Sequence, residues 1–356
     1  MRARRPRPRY ASAPEVAIPT APRPRVLFLY TGGTLGMAPK AAATRGGPLA
    51  PSPVAEDLLP FVTGLQEEVE VEGQLLFNLD SSDVTPAHWR IIGDAIAERI
   101  AEFDGFVVVH GTDTMAWTAC ALSYALGGLP KPVVLTGAQR PIAFVRTDAG
   151  DNLVNAALCA ALDVPEVGIF FGRSLFRGNR ATKTSIQSYD AFESPAVPPL
   201  VEMGLEVLPR MAPRRPTGPF AAHLAFEENV AVLDVVPGCT PHVLPAVVAA
   251  GARGVVLRGF GAGNVPRAGW PDAIREVVDA GVPVAIRSQC VRGKVDLGAY
   301  EGGRAALDAG GMPTGSMTLE AATVKLMHVL GRGLDGDALR AAYAADLAGE
   351  GASAAP

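Results

Sequence analysis

The sequence is poor in the residues that mark several common functions. Its four cysteines, Cys120, Cys159, Cys239 and Cys290, lie far apart and form no CxxC pair. The five histidines (His88, His110, His223, His242 and His328) make no HExxH and no short-spaced pair. Neither a structural metal site nor a disulfide framework is expected from these spacings, and reduced thiols in a cytoplasmic setting are. No apolar run approaches the ~18 residues needed to cross a bilayer, so no membrane partner is expected. Lysine is also scarce. Only Lys40, Lys131, Lys183, Lys294 and Lys325 are present, and arginine supplies the rest of the positive charge.

Positive charge is unevenly placed as well. Residues 1–25 hold seven arginines and one glutamate, which leaves 25 bases against 35 acids in the remainder, or −10. An acidic body is a poor polyphosphate binder, so nucleic acid is not an expected partner. The opening "MRARRPRPRYASAPEVAIPTAPRPR" lacks the apolar core of a secretory signal. Rich in proline and arginine, it is expected to be a disordered arm over 1–24.

What is present is an alternation of apolar runs and helix-length segments. Strands are expected at 25–31, 73–79, 105–110, 131–136 and 166–171, with helices at 86–101, 114–127 and 148–162 between them. "FVVVH" and "PVVLT" are continuously apolar, as in parallel strands covered on both faces. Around 193–228 the chain turns proline-rich and loses helical periodicity, which reads as a linker. A second series follows: strands 230–236, 254–258 and 282–287, and helices 241–250, 271–280, 318–330 and 335–347. The expected fold class is α/β, with two α/β domains of mostly parallel sheets. A larger domain, 25–195, is joined by linker 196–228 to a smaller one, 229–347, and a flexible tail, 348–356, follows.

Ligands in such sheets sit beyond the carboxyl ends of the strands. Three first-domain strands end in polar turns with glycine: "YTGGTLG", "HGTDTMAW" and "TGAQRP". The first is not GxGxxG, GxxxxGK[ST] occurs nowhere, and no acid closes a second strand about 20 residues on. Phosphate binding is therefore disfavoured. Acyl chemistry suits the turns better. Threonine becomes a nucleophile when a neighbouring base takes its proton, and glycine turns expose amides to a developing oxyanion. "TGGT" combines hydroxyls with bare amides, and "GTDT" adds Asp113 between Thr112 and Thr114. Arginine cannot serve as the base. Lys183 in "RGNRATKTS" follows the strand at 166–171 and can reach the same sheet edge. Each feature also has a plainer reading: a strand turn for TGGT, a helix cap from Thr112 or Asp113 for GTDT, and a surface position for Lys183.

These residues resemble a known family. "YTGGTLGM", "LDSSDVTPAHW", "VVHGTDTMAWTA", "LTGAQRP" and "LFRGNRATK" follow the order found in bacterial type I (cytoplasmic) L-asparaginases. "VVPGCTP", "VLRGFGAGN" and "SQCVRGKV" continue the resemblance, which spans 25–347. It implies hydrolysis of L-asparagine to L-aspartate and ammonia through a threonine acyl-enzyme, without metal or cofactor. By resemblance Thr34 is the nucleophile, and Thr112, Asp113 and Lys183 form a second catalytic group. Gly33, Asp80, Ser81 and Ser82, with Thr112 and Asp113, bind substrate. A carboxylate suits the α-ammonium, and hydroxyls and amides suit the α-carboxylate. DSSD also reads as a capping turn before the helix at 86.

The resemblance further implies an allosteric asparagine site at Arg258, Ser288, Gln289 and Cys290, and a homodimer or homotetramer in the cytoplasm. Members often place a tyrosine shortly after the nucleophile, on a closing loop. Here "APKAAATRGGPLAPS" has none, so water, Lys183 or another hydroxyl must relay the proton to Thr34. Two alternatives stand beside this reading: a glutaminase-like amidotransferase subunit, and a non-catalytic amino-acid sensor of the same fold.

Overall fold

The computed structural model describes residues 22–33, 37–39, 49–51, 65 and 67–351, with backbone alone for 37–39 and 49–51. Most of the expected arm and most of the tyrosine-free loop lie outside the described residues, as does Thr34.

Among the described residues, the first sheet has eight strands: β1 (Arg25–Gly32), β2 (Glu70–Leu79), β3 (Gly105–Val109), β4 (Val133–Thr136), β5 (Val167–Phe171), β6 (Ser174–Arg177), β7 (Val201–Met203) and β8 (Val207–Pro209). Their order across the sheet is β8-β7-β6-β5-β4-β3-β1-β2. The five strands from β2 to β5 run parallel, and β6, β7 and β8 each pair antiparallel with their neighbour.

Alternation along β1 explains why its run is apolar without a break. Val26, Phe28 and Tyr30 enter one core, whereas Leu27 and Leu29 enter the core on the opposite face. Helix α3 (Ala149–Ala160) covers the first core through Leu153, Ala156 and Ala160. Helices α1 (Pro86–Arg99) and α2 (Met115–Ala125) cover the second through Ile92, Ile96, Met115 and Leu122. The central strands are therefore buried on both faces, as parallel strands in such a sheet are, while the edge strand β2 stays partly exposed.

The second sheet is four parallel strands in sequential order: β9 (Val230–Asp234), β10 (Gly254–Gly259), β11 (Val284–Ser288) and β12 (Met312–Pro313). Helices α4 (Val243–Ala249), α5 (Trp270–Asp279) and α6 (Glu301–Asp308) precede α7 (Leu319–Gly331) and α8 (Gly336–Ala344). Of these, α6 and β12 are additions to the elements expected from the sequence. The two domains share a core. Cys120, Ala121 and Tyr124 of α2 pack with Ala321, Val324 and Leu326 of α7. Helix α7 is capped by Thr318, whose hydroxyl accepts from Ala321 N at 3.2 Å, and this satisfies an otherwise unpaired amide at the helix start.

Two boundaries differ from expectation. Residues 196–228 do not form a linker throughout, because β7 and β8 belong to the first sheet. Their backbone groups are satisfied by antiparallel pairing, such as Val201 with Leu175, which leaves no periodic signature in so short a run. The expected flexible tail is also tied down at its start, since Glu350 is only 2% exposed.

Candidate active site

The site is built where β1 and β3 end side by side. Beyond Tyr30, paired with Val109, the register of β1 against β2 shifts, and Gly32 meets Leu79. Thr31 donates its hydroxyl to the Val109 carbonyl at 2.9 Å, and Gly33 N donates to Leu79 O at 3.0 Å. The glycines are there because three chain segments converge. Gly33 has φ 91°, and a Cβ on it would overlap Gly111 Cα and N. A Cβ on Gly111 would come within 2.6 Å of Ser81 Oγ. Only bare backbone allows the TGG, DSSD and HGTDT turns to touch.

Each turn then presents its polar groups. Asp80 caps a 3₁₀ turn at Ser81–Asp83, accepting at one oxygen from Ser82 N at 2.9 Å and Ser82 Oγ at 2.8 Å. Ser81 is buried. Its hydroxyl accepts from Asp113 N at 3.3 Å, and its carbonyl accepts from the Thr114 hydroxyl at 2.7 Å. The helix-cap reading of GTDT does not hold. Helix α2 begins at Met115 without a side-chain cap, and Thr114 spends its hydroxyl on Ser81 instead.

Asp113 turns to lysine. Lys183 Nζ donates to Asp113 Oδ1 at 2.6 Å and to Thr112 Oγ1 at 2.8 Å. Lys183 lies in a two-residue strand, Thr182–Lys183, paired with Phe192–Glu193. Its side chain is 16% exposed whereas that of Asp113 is 65% exposed. The ammonium thus reaches a nearly buried hydroxyl from one side while the carboxylate stays open to solvent. Such a lysine–carboxylate–hydroxyl arrangement is suited to proton transfer at the Thr112 oxygen.

Beneath the turn, His110 is held neutral. Complete burial brings its pKa down to about 4. Its Nδ1 lies 2.7 Å from the Gly111 carbonyl, and its Nε2 lies 3.0 Å from the Thr118 hydroxyl, which in turn accepts from Trp89 Nε1 at 3.1 Å. Gln139, in the TGAQRP turn after β4, is a residue that sequence reasoning misses. It lies 3.4 Å from the Thr112 hydroxyl and donates to the Ser185 and Ser188 carbonyls at 3.3 and 3.0 Å. The position of TGAQRP at a third strand end is the signal that points there.

The structure gathers Gly33, Asp80, Ser81, Ser82, Thr112, Asp113 and Lys183 around one sheet edge. Thr34 follows directly after Gly33 but is outside the described residues. In the second domain, Arg258, Ser288 and Gln289 line a cavity of about 160 Å³ with Arg287, Thr182 and Glu320. All three are already engaged within the protein. Arg258 pairs with Asp234 at 3.0 Å, Ser288 donates to the Gly261 carbonyl at 2.5 Å, and Gln289 donates to the Val235 and Arg258 carbonyls at 2.6 and 2.9 Å. Cys290 is exposed, and its amide donates to Ser288 Oγ at 3.0 Å.

Comparison with known proteins agrees with this geometry. The family model described as Asparaginase, N-terminal, matches residues 25–213, and the Glutaminase/Asparaginase C-terminal domain matches 229–343. L-asparaginase 1 of Escherichia coli is 39% identical, over 76% of this chain and 82% of its own length. The structure of the thermostable L-asparaginase from Thermococcus kodakarensis superposes with a TM-score of 0.85 at 37% identity, covering 92% of this chain and 98% of that one. A glutamyl-tRNA(Gln) amidotransferase component of Pyrococcus abyssi is 35% identical, over 92% of this chain and 76% of its own length. With both domain models matched in order and the two sheets arranged as described, this chain belongs to the asparaginase family of amidohydrolases, in its type I branch.

Proposed function

We propose that this protein hydrolyses L-asparagine to L-aspartate and ammonia through an ester on Thr34. The observation that carries the proposal is Lys183 Nζ, 2.6 Å from Asp113 and 2.8 Å from Thr112, beside the turn that delivers Gly33.

In this reading the Thr34 oxygen attacks the side-chain amide carbon, and amides near Gly33 and Thr112 receive the oxyanion. The C–N bond breaks, the threonine proton leaves with the nitrogen, and ammonia departs. Water polarised by Thr112, Lys183 and Asp113 then attacks the ester, and its proton returns to Thr34. Asp80 holds the substrate ammonium, and Ser81 and Ser82 sit near the α-carboxylate. No step passes through a metal or cofactor. A second amino-acid site at Arg258, Ser288 and Gln289 is supported by their common cavity. The same reading expects a cytoplasmic homodimer or homotetramer without nucleic-acid or membrane partners.

Ammonia release from asparagine and from glutamine by Thr34→Ala and Lys183→Met tests the assignment. Each substitution is expected to lower kcat by about 10³-fold with the fold intact. Parental turnover by Thr34→Ala would refute the nucleophile. A preference for glutamine together with a co-purifying partner would point to an amidotransferase subunit, and asparagine binding without ammonia release would point to a sensor.

A further inference from the structure

The last described residues hold the turn that leads to Lys183. After α8 the chain bends at Asp346–Glu350 and lies against Arg177–Arg180. Gly349 has φ 89°, and a Cβ on it would come 2.9 Å from the Arg177 guanidinium. Arg177 is itself fixed by Glu166 at 2.5 Å. Asn179, fully buried, donates through Nδ2 to the Ala348 carbonyl at 3.0 Å and to Glu350 Oε2 at 3.4 Å. Arg180 donates to the Glu350 carbonyl and, at 3.0 Å, to Ser316 Oγ.

Glu350 is the centre of this clamp. Its carboxylate accepts from Lys325 Nζ at 2.5 Å, Leu347 N at 2.9 Å and Ala348 N at 2.8 Å. Lys325 comes from α7 of the second domain, is 1% exposed, and donates also to the Ala345 carbonyl. A buried ion pair is weak evidence for stability, because desolvating both charges offsets their attraction. Its location says more. The clamped 3₁₀ turn Gly178–Arg180 is followed by buried Ala181, then Thr182 and Lys183. Thr182 is pinned from the same domain, donating to Glu320 at 2.7 Å.

We propose that Glu350 is a positioning residue. It locks the turn Gly178–Arg180 and thereby keeps Lys183 Nζ between Asp113 and Thr112. The inference rests on the role proposed above for Lys183. Displacing a reacting group by about 1 Å costs up to about 10²-fold in rate, so the clamp acts on turnover and not on binding through DSSD.

The test is steady-state ammonia release from L-asparagine by full-length variants, with melting temperatures measured alongside. Glu350→Ala is expected to lower kcat about tenfold while KM changes by less than about twofold, and Glu350→Gln falls between it and the parent. The double variant Glu350→Leu/Lys325→Met leaves no buried charge unpaired, but it frees Leu347 N and Ala348 N and drops the 3.4 Å contact to Asn179, so its melting temperature is read alongside its kcat. It is expected to remain slow. Asn179→Ala leaves the ion pair and the Arg180 bond to the Glu350 carbonyl in place, removes both Asn179 bonds to the tail, and reads the same effect should the other variants fail to fold. Parental kcat in the double variant or in Asn179→Ala overturns the inference. So does a lowered melting temperature with unchanged kcat per folded enzyme, which marks a merely structural role. Lys183→Met in parallel separates the two ideas: if it retains turnover, the reading of Lys183 fails; if it alone is inactive, only the clamp does.

Discussion

The carboxyl edges of the two sheets use similar chemistry to opposite ends. In the first domain the polar groups of three turns converge on one edge. Asp113 is open to solvent, and Lys183 reaches Thr112 across the gap between two turns. In the second domain the corresponding side chains bond within the protein: Arg258 to Asp234, Ser288 to Gly261 O, and Gln289 to two carbonyls. A ligand at the first edge meets groups held by three converging turns, whereas at the second edge the buried Nε of Arg258 has no partner among the described residues. Preorganisation favours turnover.

Four experiments probe this contrast. The largest effect is expected at Lys183, where Lys183→Met lowers kcat by about 10³-fold. A substitution at the second edge should not approach that loss.

Acid comes next. Burial depresses the pKa of His110 to about 4 from the usual 6.5 of a free imidazole. Protonation therefore favours the unfolded chain. Stability is whole above about pH 6.5 and is lost as pH falls towards 4, by about 3 kcal/mol from this residue. His328, also brought to about 4 chiefly by burial, adds to the same slope. Thermal melts between pH 7 and 4 check the sign, and His110→Gln should flatten the dependence.

Gly33→Ala follows. Its Cβ has no room against Gly111, and φ 91° is strained for alanine, so a cost of about 1–3 kcal/mol is expected. The predicted outcome is a lower melting temperature and a loss of turnover of about tenfold or more. An unchanged enzyme would show that the two turns are not locked together.

The smallest effect is expected at Arg258. The Arg258→Ala substitution removes a half-exposed pair with Asp234, worth about 0–1 kcal/mol. Basal kcat should change by less than about twofold, while any sigmoidal dependence on asparagine is reduced. A large loss of basal turnover would make the second edge part of the chemistry, and the contrast would fall.

Much of the site is legible because its residues sit in turns that close apolar runs. TGGT, DSSD and HGTDT announce themselves by glycine and hydroxyl content at strand ends, and Lys183 stands out because lysine is scarce. Gln139 does not, since one amide in TGAQRP carries no chemical signal until Thr112 is placed beside it. The antiparallel strands at 201–203 and 207–209 read as linker because three-residue strands have no periodicity, and prolines around them suggest loop. Glu350 reads as part of a flexible tail for a similar reason. Its surroundings of alanine and glycine give no hint that Lys325, 25 residues earlier in helix α7, needs a carboxylate.

The sequence by itself determined the two α/β layers, since uninterrupted apolar strands between amphipathic helices have few other ways to exclude water. It also determined the chemistry, since hydroxyl, carboxylate and amine are properties of residue type. Only the tertiary structure decided which groups meet. Lys183 stands 70 residues from Asp113 and 71 from Thr112, and Glu350 is 171 residues from Asn179. Contacts over such separations depend on how sheets, helices and termini pack together, and no local pattern of residues encodes that packing.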